Sequence, residues 1–375
     1  MTDRPSNPEH YTLLDLFRTM VEEDASDLFV KAGVRPMFRI AGRLRPSEFA
    51  PPSPQEAEAL ADGILSEKER QTLRQAGHAD FAYWEAGLGR FRVNVYRQRG
   101  AIALVARRVK QAIPSFAALH LPDAVADLAL APRGLVLVTG PTGSGKSTTL
   151  AAMVDYRNRH APGHIITIED PIEYLHEDRP HSFVSQREVG TDTESFAAAL
   201  HDALRQSPDV LLIGEMRDAD SVTSAVYFAE TGHLVLSSLH SINASQALDR
   251  IIHFFPQHAH DEIRIQLSVT LAGIVAQRLV PRADGAGLVP AVEVLLATQR
   301  VREAVRKGEF LRLPQIMAEG QAEGMQTFDD SLFALCGEGL VARETAVEAA
   351  DRPNDLRMRL HGIRSRDVGV ADSAV

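Results

Sequence analysis

The chain has 375 residues, which is more than one typical domain holds, so two or three domains are expected. Its 45% hydrophobic and 24% charged residues are typical of a globular protein, and the single cysteine, Cys336, excludes an internal disulfide. We find no basic-then-apolar leader and no apolar run of the roughly 18 residues that cross a bilayer, which predicts a cytoplasmic protein. The net charge of −10 argues against a broad nucleic-acid-binding face, so no nucleic-acid partner is expected.

The first 110 residues have the pattern of a small α+β domain. Apolar side chains at helical spacing predict an amphipathic helix near the start: Leu13, Leu16, Phe17, Met20 and Val21. Further elements are expected as strands over 26–30 and 35–40, a helix over 55–76, and a hairpin of 89–96 with 101–109. In the first hairpin strand, Arg90, Arg92 and Asn94 alternate with apolar residues, which predicts a half-buried strand with a basic outer face.

From about residue 120, apolar strand-like runs alternate with helical segments, at 134–139, 164–168, 209–213 and 233–238. This pattern favours an α/β fold with a mostly parallel sheet covered on both faces. Two later helices are predicted from apolar stripes, one from Ile263, Leu267, Leu271 and Ile274 and one from Phe328, Leu332, Phe333 and Cys336. The predicted organisation is a domain over 1–110, a linker over 111–119, an α/β domain over 120–285, a helical region over 286–362 and a disordered tail over 363–375.

A glycine-rich segment, GPTGSGKST at 140–148, follows the apolar strand 134–139 and precedes a helix-like run. This is the P-loop pattern, in which glycines let backbone N–H groups converge on phosphate oxygens at a helix N-terminus. Lys146 is expected on the β- and γ-phosphates and the Ser147 hydroxyl on Mg²⁺. A chance glycine-rich turn is the alternative, and the flanking strand and helix disfavour it. The predicted nucleotide-binding residues are Gly140, Pro141, Thr142, Gly143, Ser144, Gly145, Lys146, Ser147 and Thr148.

Two acidic segments follow the P-loop, IITIEDPIEY at 165–174 and LRQSPDVLLIGEMRD at 204–218. Ligands of parallel sheets bind at the carboxyl ends of the strands, so acids from both segments are expected beside the phosphates. The second strand ends on Gly214 and Glu215, where P-loop proteins usually carry an aspartate near Mg²⁺. Each acid alone could be a surface charge or a helix cap, but two acidic strand ends behind one P-loop favour a site.

A third strand-like segment, GHLVLSSLH at 232–240, has His233 and His240 at its two ends. A role in sensing the γ-phosphate is our hypothesis for both, with a structural role as the alternative. A zinc site is not indicated, because there is no nearby cysteine and no HExxH spacing.

These motifs together resemble the type II secretion and type IV pilus ATPases, the GspE/PilT family. The segment 204–218 fits the family signature at Arg205, Pro208, Asp209, Gly214, Glu215, Arg217 and Asp218, and the P-loop, the IEDPIE box and the TGHL…LH box occur in the same order. The resemblance covers about residues 11–360. It implies a RecA-like P-loop ATPase that uses ATP and Mg²⁺, is preceded by a PAS-like domain and works as a hexameric ring.

The resemblance also implies roles for individual residues. Glu215 would belong to the Mg²⁺ shell, Glu169 and Asp170 would help to hold the metal and its waters, and Glu173 would be the base that activates the attacking water. Arginines of the N-terminal domain would reach the γ-phosphate, with Arg92 and Arg107 as first candidates and Arg97 and Arg217 behind them. A solvated basic strand face is the alternative for these arginines.

Within the family, GMQTFD at 324–329 resembles the pilus retraction motors, and the stretches 243–256 and 352–360 favour the accessory PilU branch over the PilT branch. The stretch 299–309 departs from a helix that PilT proteins need for retraction. The implied partners are a PilT-like ATPase and a PilC-like inner-membrane platform protein, with the chain peripheral to the inner membrane. The alternatives are a non-motor ATP-binding regulator and a ring ATPase that translocates protein or DNA.

Overall fold

The computed structural model describes residues 10–109 and 112–362, so the predicted disordered tail lies outside the described residues. The chain divides into two compact units, Met1–Gln111 and Ala112–Val375. None of the helices in the described ranges combines the length and the apolar character needed to cross a membrane.

In the N-terminal unit, the described residues 10–109 form three helices and six strands. These are α1 (Leu13–Glu22), β1 (Asp27–Lys31), β2 (Val34–Ile40), β3 (Arg43–Pro46), α2 (Pro54–Asp62), α3 (Glu67–Ala76), β4 (His78–Glu85), β5 (Gly89–Gln98) and β6 (Ala101–Arg108). The strands form one antiparallel sheet in the order β3-β2-β1-β6-β5-β4.

One face of this sheet packs on the helices. In β5, apolar and polar side chains alternate as expected, so its apolar side chains all point to that face. Phe91, Val93 and Val95 are fully buried, and Phe17 of α1 stacks on Phe91 with ring centroids 4.2 Å apart. The single helix predicted over 55–76 is wrong, because the chain forms α2 and α3 instead. Ser66 caps α3 through a capping box and starts a new helix after the turn at Gly63.

The second unit contains the remaining strands and helices. In chain order these are α4 (Asp123–Ala129), β7 (Gly134–Thr139), α5 (Lys146–His160), β8 (Gly163–Glu169), β9 (Ser182–Glu188), α6 (Phe196–Ala203), β10 (Val210–Ile213), α7 (Ala219–Glu230), β11 (Leu234–Leu239), α8 (Ala244–His253), α9 (His260–Thr270), β12 (Leu271–Pro281), β13 (Leu288–Leu296), α10 (Gln299–Lys307), α11 (Leu313–Glu319), α12 (Phe328–Gly337), α13 (Arg343–Ala349) and α14 (Pro353–Leu360).

The strands of this unit form one sheet in the order β13-β12-β7-β11-β10-β8-β9. All neighbouring strands are parallel except β13, which runs antiparallel to β12. The central strands β7, β10 and β11 are completely buried, as their uninterrupted apolar sequences predict. Because they are parallel, the loops that follow them emerge at one edge of the sheet.

The helix predicted from Ile263 to Ile274 is wrong beyond Thr270, where α9 ends and β12 begins. β12 pairs with β7, and β13 lies inside the region predicted to be helical, 286–362. A short, fully apolar run has no periodicity that separates a buried helix from a buried strand. Here the run forms a strand because β7 offers unpaired backbone groups along its edge. The helical region begins only with α10.

Glu293 is a buried acid in the middle of β13. Its side chain is only 4% exposed, and one carboxylate oxygen accepts a hydrogen bond of 2.8 Å from the Ala244 backbone N–H at the start of α8. Burial raises the pKa of Glu293 to about 7, with a smaller increase from Asp351 and an opposing effect of Arg278. The native state therefore holds the Glu293 proton more tightly than the unfolded chain does.

This difference makes a testable contribution to stability. With the folded pKa above the unfolded one, the free energy of unfolding falls as pH rises between about 4.5 and about 7. Glu293→Gln keeps an acceptor for Ala244 but cannot ionise, so it is expected to be more stable than the native chain above pH 7, by on the order of 3 kcal/mol. Urea unfolding at pH 5 and pH 8 measures this, with the exposed Glu338→Gln as control. Equal stability of native chain and Glu293→Gln at pH 8 would contradict it.

Candidate nucleotide-binding and hydrolysis site

The P-loop connects the end of β7 to the start of α5. Gly140 and Gly145 have φ angles of 157° and 90°, which residues with a Cβ rarely adopt. A Cβ on Gly140 would also lie 2.4 Å from the Gln277 backbone oxygen. Gly145 is the N-cap of α5 and has no side chain to cover the helix end, so the first N–H groups of α5 suit an anion.

A cavity of about 270 Å³ lies beside the P-loop at the carboxyl edge of the sheet. Side chains from five segments line it, and four of these segments carry residues that the sequence singles out. These residues are Thr142, Lys146 and Ser147 from the P-loop, Glu169 at the end of β8 with Asp170 and Glu173 in the loop that follows, Glu215 and Arg217 after β10, and His240 after β11. The fold thus brings together residues that lie up to about a hundred positions apart in the chain.

Lys146 is buried at the centre of the cavity wall. Its Nζ donates to the backbone oxygens of Gly140 and Pro141, both at 3.0 Å, and to Nδ1 of His240 at 3.3 Å. Burial lowers the pKa of Lys146, and the nearby carboxylates of Glu215 and Glu173 act against that decrease. The ammonium group is therefore favoured when more negative charge arrives.

His240 and Glu215 continue this polar chain. Because a lysine ammonium only donates hydrogen bonds, Nδ1 of His240 accepts and the imidazole proton lies on Nε2. Nε2 lies 3.1 Å from one carboxylate oxygen of Glu215, and Nε of Arg217 donates to the other at 2.7 Å. The second nitrogen of Arg217 reaches Asp170 at 3.5 Å. Both oxygens of Glu215 are thus engaged, and Arg217 is bound to two acids.

The acids at the end of β8 and in the loop that follows differ in their surroundings. Glu169 accepts hydrogen bonds from the Thr167 hydroxyl at 2.7 Å and from Gln186 at 3.1 Å, and burial raises its pKa. Glu173 is exposed, lines the cavity and has no hydrogen bond or ion pair to its carboxylate within residues 10–109 and 112–362. It is therefore the acid whose carboxylate is most available to a water molecule.

The oxygen donors in the cavity fit a magnesium ion. Mg²⁺ prefers hard oxygen ligands and is usually held by one or two side chains together with phosphate oxygens and water. The Ser147 hydroxyl and the Glu215 carboxylate line the same cavity and suit this chemistry, with Asp170 close by. In the described part of the chain, no group of three or more His, Cys, Asp and Glu side chains is placed to hold a metal by itself.

His233 does not reach this cavity. It precedes β11, and its Nδ1 lies 3.1 Å from the Phe228 backbone oxygen, which can only accept, and 3.1 Å from the Thr231 hydroxyl. His240 follows the other end of the same six-residue strand, which separates the two histidines by roughly 20 Å. The structure brings only His240 to the P-loop, and the γ-phosphate role of His233 stays a prediction.

In the N-terminal unit, the sheet face that carries Arg92 and Arg107 also contains a buried acid that binds two arginines. This acid was not predicted from the sequence. Asp27 on β1 is 3% exposed and pairs with Arg107 at 2.7 Å and with Arg39 at 3.3 Å. Arg92 lies opposite Arg107 in the β5–β6 register and is exposed. Arg97 has the opposite strand parity to Arg92, so it belongs to the other face of the sheet. This face of the sheet therefore carries three neighbouring arginines, Arg39, Arg92 and Arg107, and the Asp27 carboxylate binds two of them.

Two further contacts to the P-loop were not predicted. The buried Gln277 of β12 donates from Nε2 to the Ser144 backbone oxygen at 2.5 Å. The hydroxyl groups of Tyr174 and Thr148 lie 2.8 Å apart and connect the loop after β8 to α5. The only sequence signal for Gln277 is a polar residue inside an apolar strand, which indicates a buried polar partner without naming it.

Comparison with known proteins decides the family. Residues 104–311 match the type II/IV secretion system protein family. The chain belongs to this family. It is 47% identical to the type IV pilus ATPase PilU of Pseudomonas aeruginosa, over 92% of this chain and 90% of that protein. It is also 39% identical to a twitching motility protein of Neisseria gonorrhoeae, over 92% of each chain.

A solved structure of the family gives the same result for the fold. The crystal structure of the pilus retraction motor PilT with bound ADP matches with a TM-score of 0.85 and 43% identity, over 93% of this chain and 99% of that one. The family and the fold class expected from the sequence are thereby confirmed. The second unit contains a RecA-like ATPase fold, and the enzyme class is ATPase.

Proposed function

We propose that this ATPase is a motor of type IV pilus retraction in twitching motility, which binds ATP with Mg²⁺ and couples its hydrolysis to pilus disassembly. The observation that carries the proposal is the similarity to the pilus ATPase PilU along nearly the whole chain. The match to a retraction motor with bound ADP supports adenine nucleotide as the ligand.

The P-loop cavity suggests how the phosphates would be held. Backbone N–H groups at the start of α5 and the ammonium of Lys146 would bind the β- and γ-phosphates, Lys146 exchanging its contacts with the Gly140 and Pro141 oxygens for phosphate oxygens. A magnesium ion, when bound, would neutralise phosphate charge, with Ser147 and Glu215 holding it and Glu169 and Asp170 ordering its waters.

The attacking water would be prepared by Glu173, whose carboxylate is exposed at the cavity and would take the proton of that water. His240 would report the γ-phosphate, because Lys146 donates to its Nδ1 and turning Lys146 towards phosphate removes that bond. Because Nε2 of His240 also contacts Glu215, a movement of the His240 ring would shift the Glu215 carboxylate as well.

The proposal also includes assembly and partners. We propose a hexameric ring in which Arg92 and Arg107 bring positive charge to the γ-phosphate. Arg97 and Arg217 are the second candidates for this role. Arginine suits this role because its charge is permanent and its planar group matches phosphate. The ring would lie on the cytoplasmic side of the inner membrane, acting on a PilC-like platform protein beside a PilT-like ATPase.

The stretch 299–309 bears on the choice between an accessory motor and a non-motor regulator, which is the second candidate. Most of this stretch forms α10, whose Arg302 donates to the Ser268 and Val269 backbone oxygens at the end of α9. Since its sequence departs from the retraction helix of PilT, we propose that the chain retracts pili only beside a PilT-like partner. Translocation of DNA is disfavoured by the net charge of −10.

Retraction assays in cells test this proposal. Loss of the chain should impair retraction, and in cells without the PilT-like partner the chain should not restore it. Replacement of the chain by its Glu173→Gln form should impair retraction if hydrolysis drives it, whereas a non-motor regulator would work equally well in that form. Normal retraction without the chain, or retraction by the chain alone, would contradict the accessory-motor proposal.

A further inference from the structure

Strand β9 faces the loop that carries the proposed base, residues 170–176, here named the acidic-box loop. The amide of Gln186 makes two hydrogen bonds of 2.9 Å to this loop, accepting from the His176 backbone N–H and donating to the Tyr174 backbone oxygen. One side chain thus satisfies backbone groups of two residues of this loop.

The contacts continue towards the start of the loop. Glu188, two residues further along β9, accepts from the Ile172 backbone N–H at 3.0 Å. The loop is therefore held at positions 172, 174 and 176, which recur every second residue as in an extended chain beside a strand. Glu173 lies between two of these held positions.

Gln186 also connects to Glu173 by a second route. Its Nε2 donates to Glu169 at 3.1 Å, and the backbone N–H of Glu173 is close enough to the same Glu169 carboxyl group to favour its charged form. The Glu173 carboxylate itself has no hydrogen-bond partner in the described residues, so its position depends on how the backbone beside it is held.

We propose that Gln186 is a positioning residue for ATP hydrolysis, whose amide sets the place that the Glu173 carboxylate reaches in the cavity. This inference rests on the proposed function, in which Glu173 activates the water. The reaction is sensitive to such placement, because a displacement of about 1 Å at a reacting group can cost about a hundredfold in rate.

Gln186→Leu tests the inference in the full-length protein. The change removes all three hydrogen bonds at similar size, and kcat for ATP is expected to fall about 10- to 100-fold while KM and ATP affinity stay unchanged. Ser185→Ala is the matched control, since Ser185 is the neighbouring β9 residue and bonds instead to His164 at 2.9 Å. Its kcat should be that of the native protein.

Should Gln186→Leu fail to fold, as judged by circular dichroism, Gln186→Glu gives the same test. It keeps an acceptor for the His176 N–H but cannot donate to Tyr174 or Glu169, so kcat should again fall with KM unchanged. A native kcat in the folded variant, or a loss of ATP affinity as large as the loss of kcat, would overturn the inference.

A double variant separates this inference from the proposed function. In a Glu173→Gln background, adding Gln186→Leu should cause no further loss, because a positioning residue acts through the base it places. A further loss of the same size would indicate a role independent of Glu173 and overturn the inference alone. A native rate in Glu173→Gln by itself would instead overturn the assignment of Glu173 as the base.

Discussion

Replacement of Glu173 by glutamine is expected to lower ATP turnover by about 10²- to 10⁴-fold, the usual contribution of a general base. The amide has nearly the same shape as the carboxylate but cannot accept a proton from water. Among the acids that line the cavity, Glu173 is the one with an exposed carboxylate and no hydrogen-bond partner in the described residues. Glu215 and Glu169 already have such partners.

ATP binding should persist in the same variant, because Glu173 does not belong to the P-loop. Steady-state phosphate release and equilibrium binding of ATP measure the two effects separately. Glu177→Gln is the matched control, since Glu177 is an exposed acid of the same segment that pairs with Arg179 and does not line the cavity. Turnover by Glu173→Gln within a few-fold of the native rate would refute the assignment of the base.

Replacement of Lys146 by alanine is expected to weaken ATP binding and to lower kcat/KM by at least about 10²- to 10³-fold, as for other groups that stabilise transferring phosphate. Lys146 is the lysine that lines the cavity, and its ammonium lies among the Gly140 and Pro141 oxygens and His240. Its removal leaves the phosphates without the nearest positive side chain, and backbone N–H groups alone carry no net charge.

This variant differs from Glu173→Gln because it affects binding as well as turnover. Titration with ATP and measurement of kcat/KM therefore distinguish the two changes. Lys68→Ala, at an exposed lysine on α3, controls for loss of a positive charge elsewhere. Native affinity for ATP in Lys146→Ala would show that the P-loop is not the phosphate site.

The sequence predicts the position of the P-loop and of the strand ends because both depend on local patterns. Uninterrupted apolar runs indicate parallel strands, and the order of the chain then places the following loops at one edge. The same patterns fail for β12, where Leu271 and Ile274 fit a helical stripe but lie in a strand beside β7. The helix predicted over 55–76 is likewise interrupted, because the capping box at Ser66 starts a second helix although the apolar spacing fits one continuous helix.

The sequence by itself determined the family, the phosphate-binding segment and the set of acids around it, since each depends on residue types at fixed spacing. Only the tertiary structure decided how these acids differ. Glu169 is half-buried and hydrogen-bonded, Glu215 is held between His240 and Arg217, and the Glu173 carboxylate has no hydrogen-bond partner among the described residues. A carboxylate's role depends on its burial and on its partners, and those partners come from strands that are distant in sequence. The roles of Gln186 and Asp27 could be recognised only in the structure, because their contacts form when the sheets assemble.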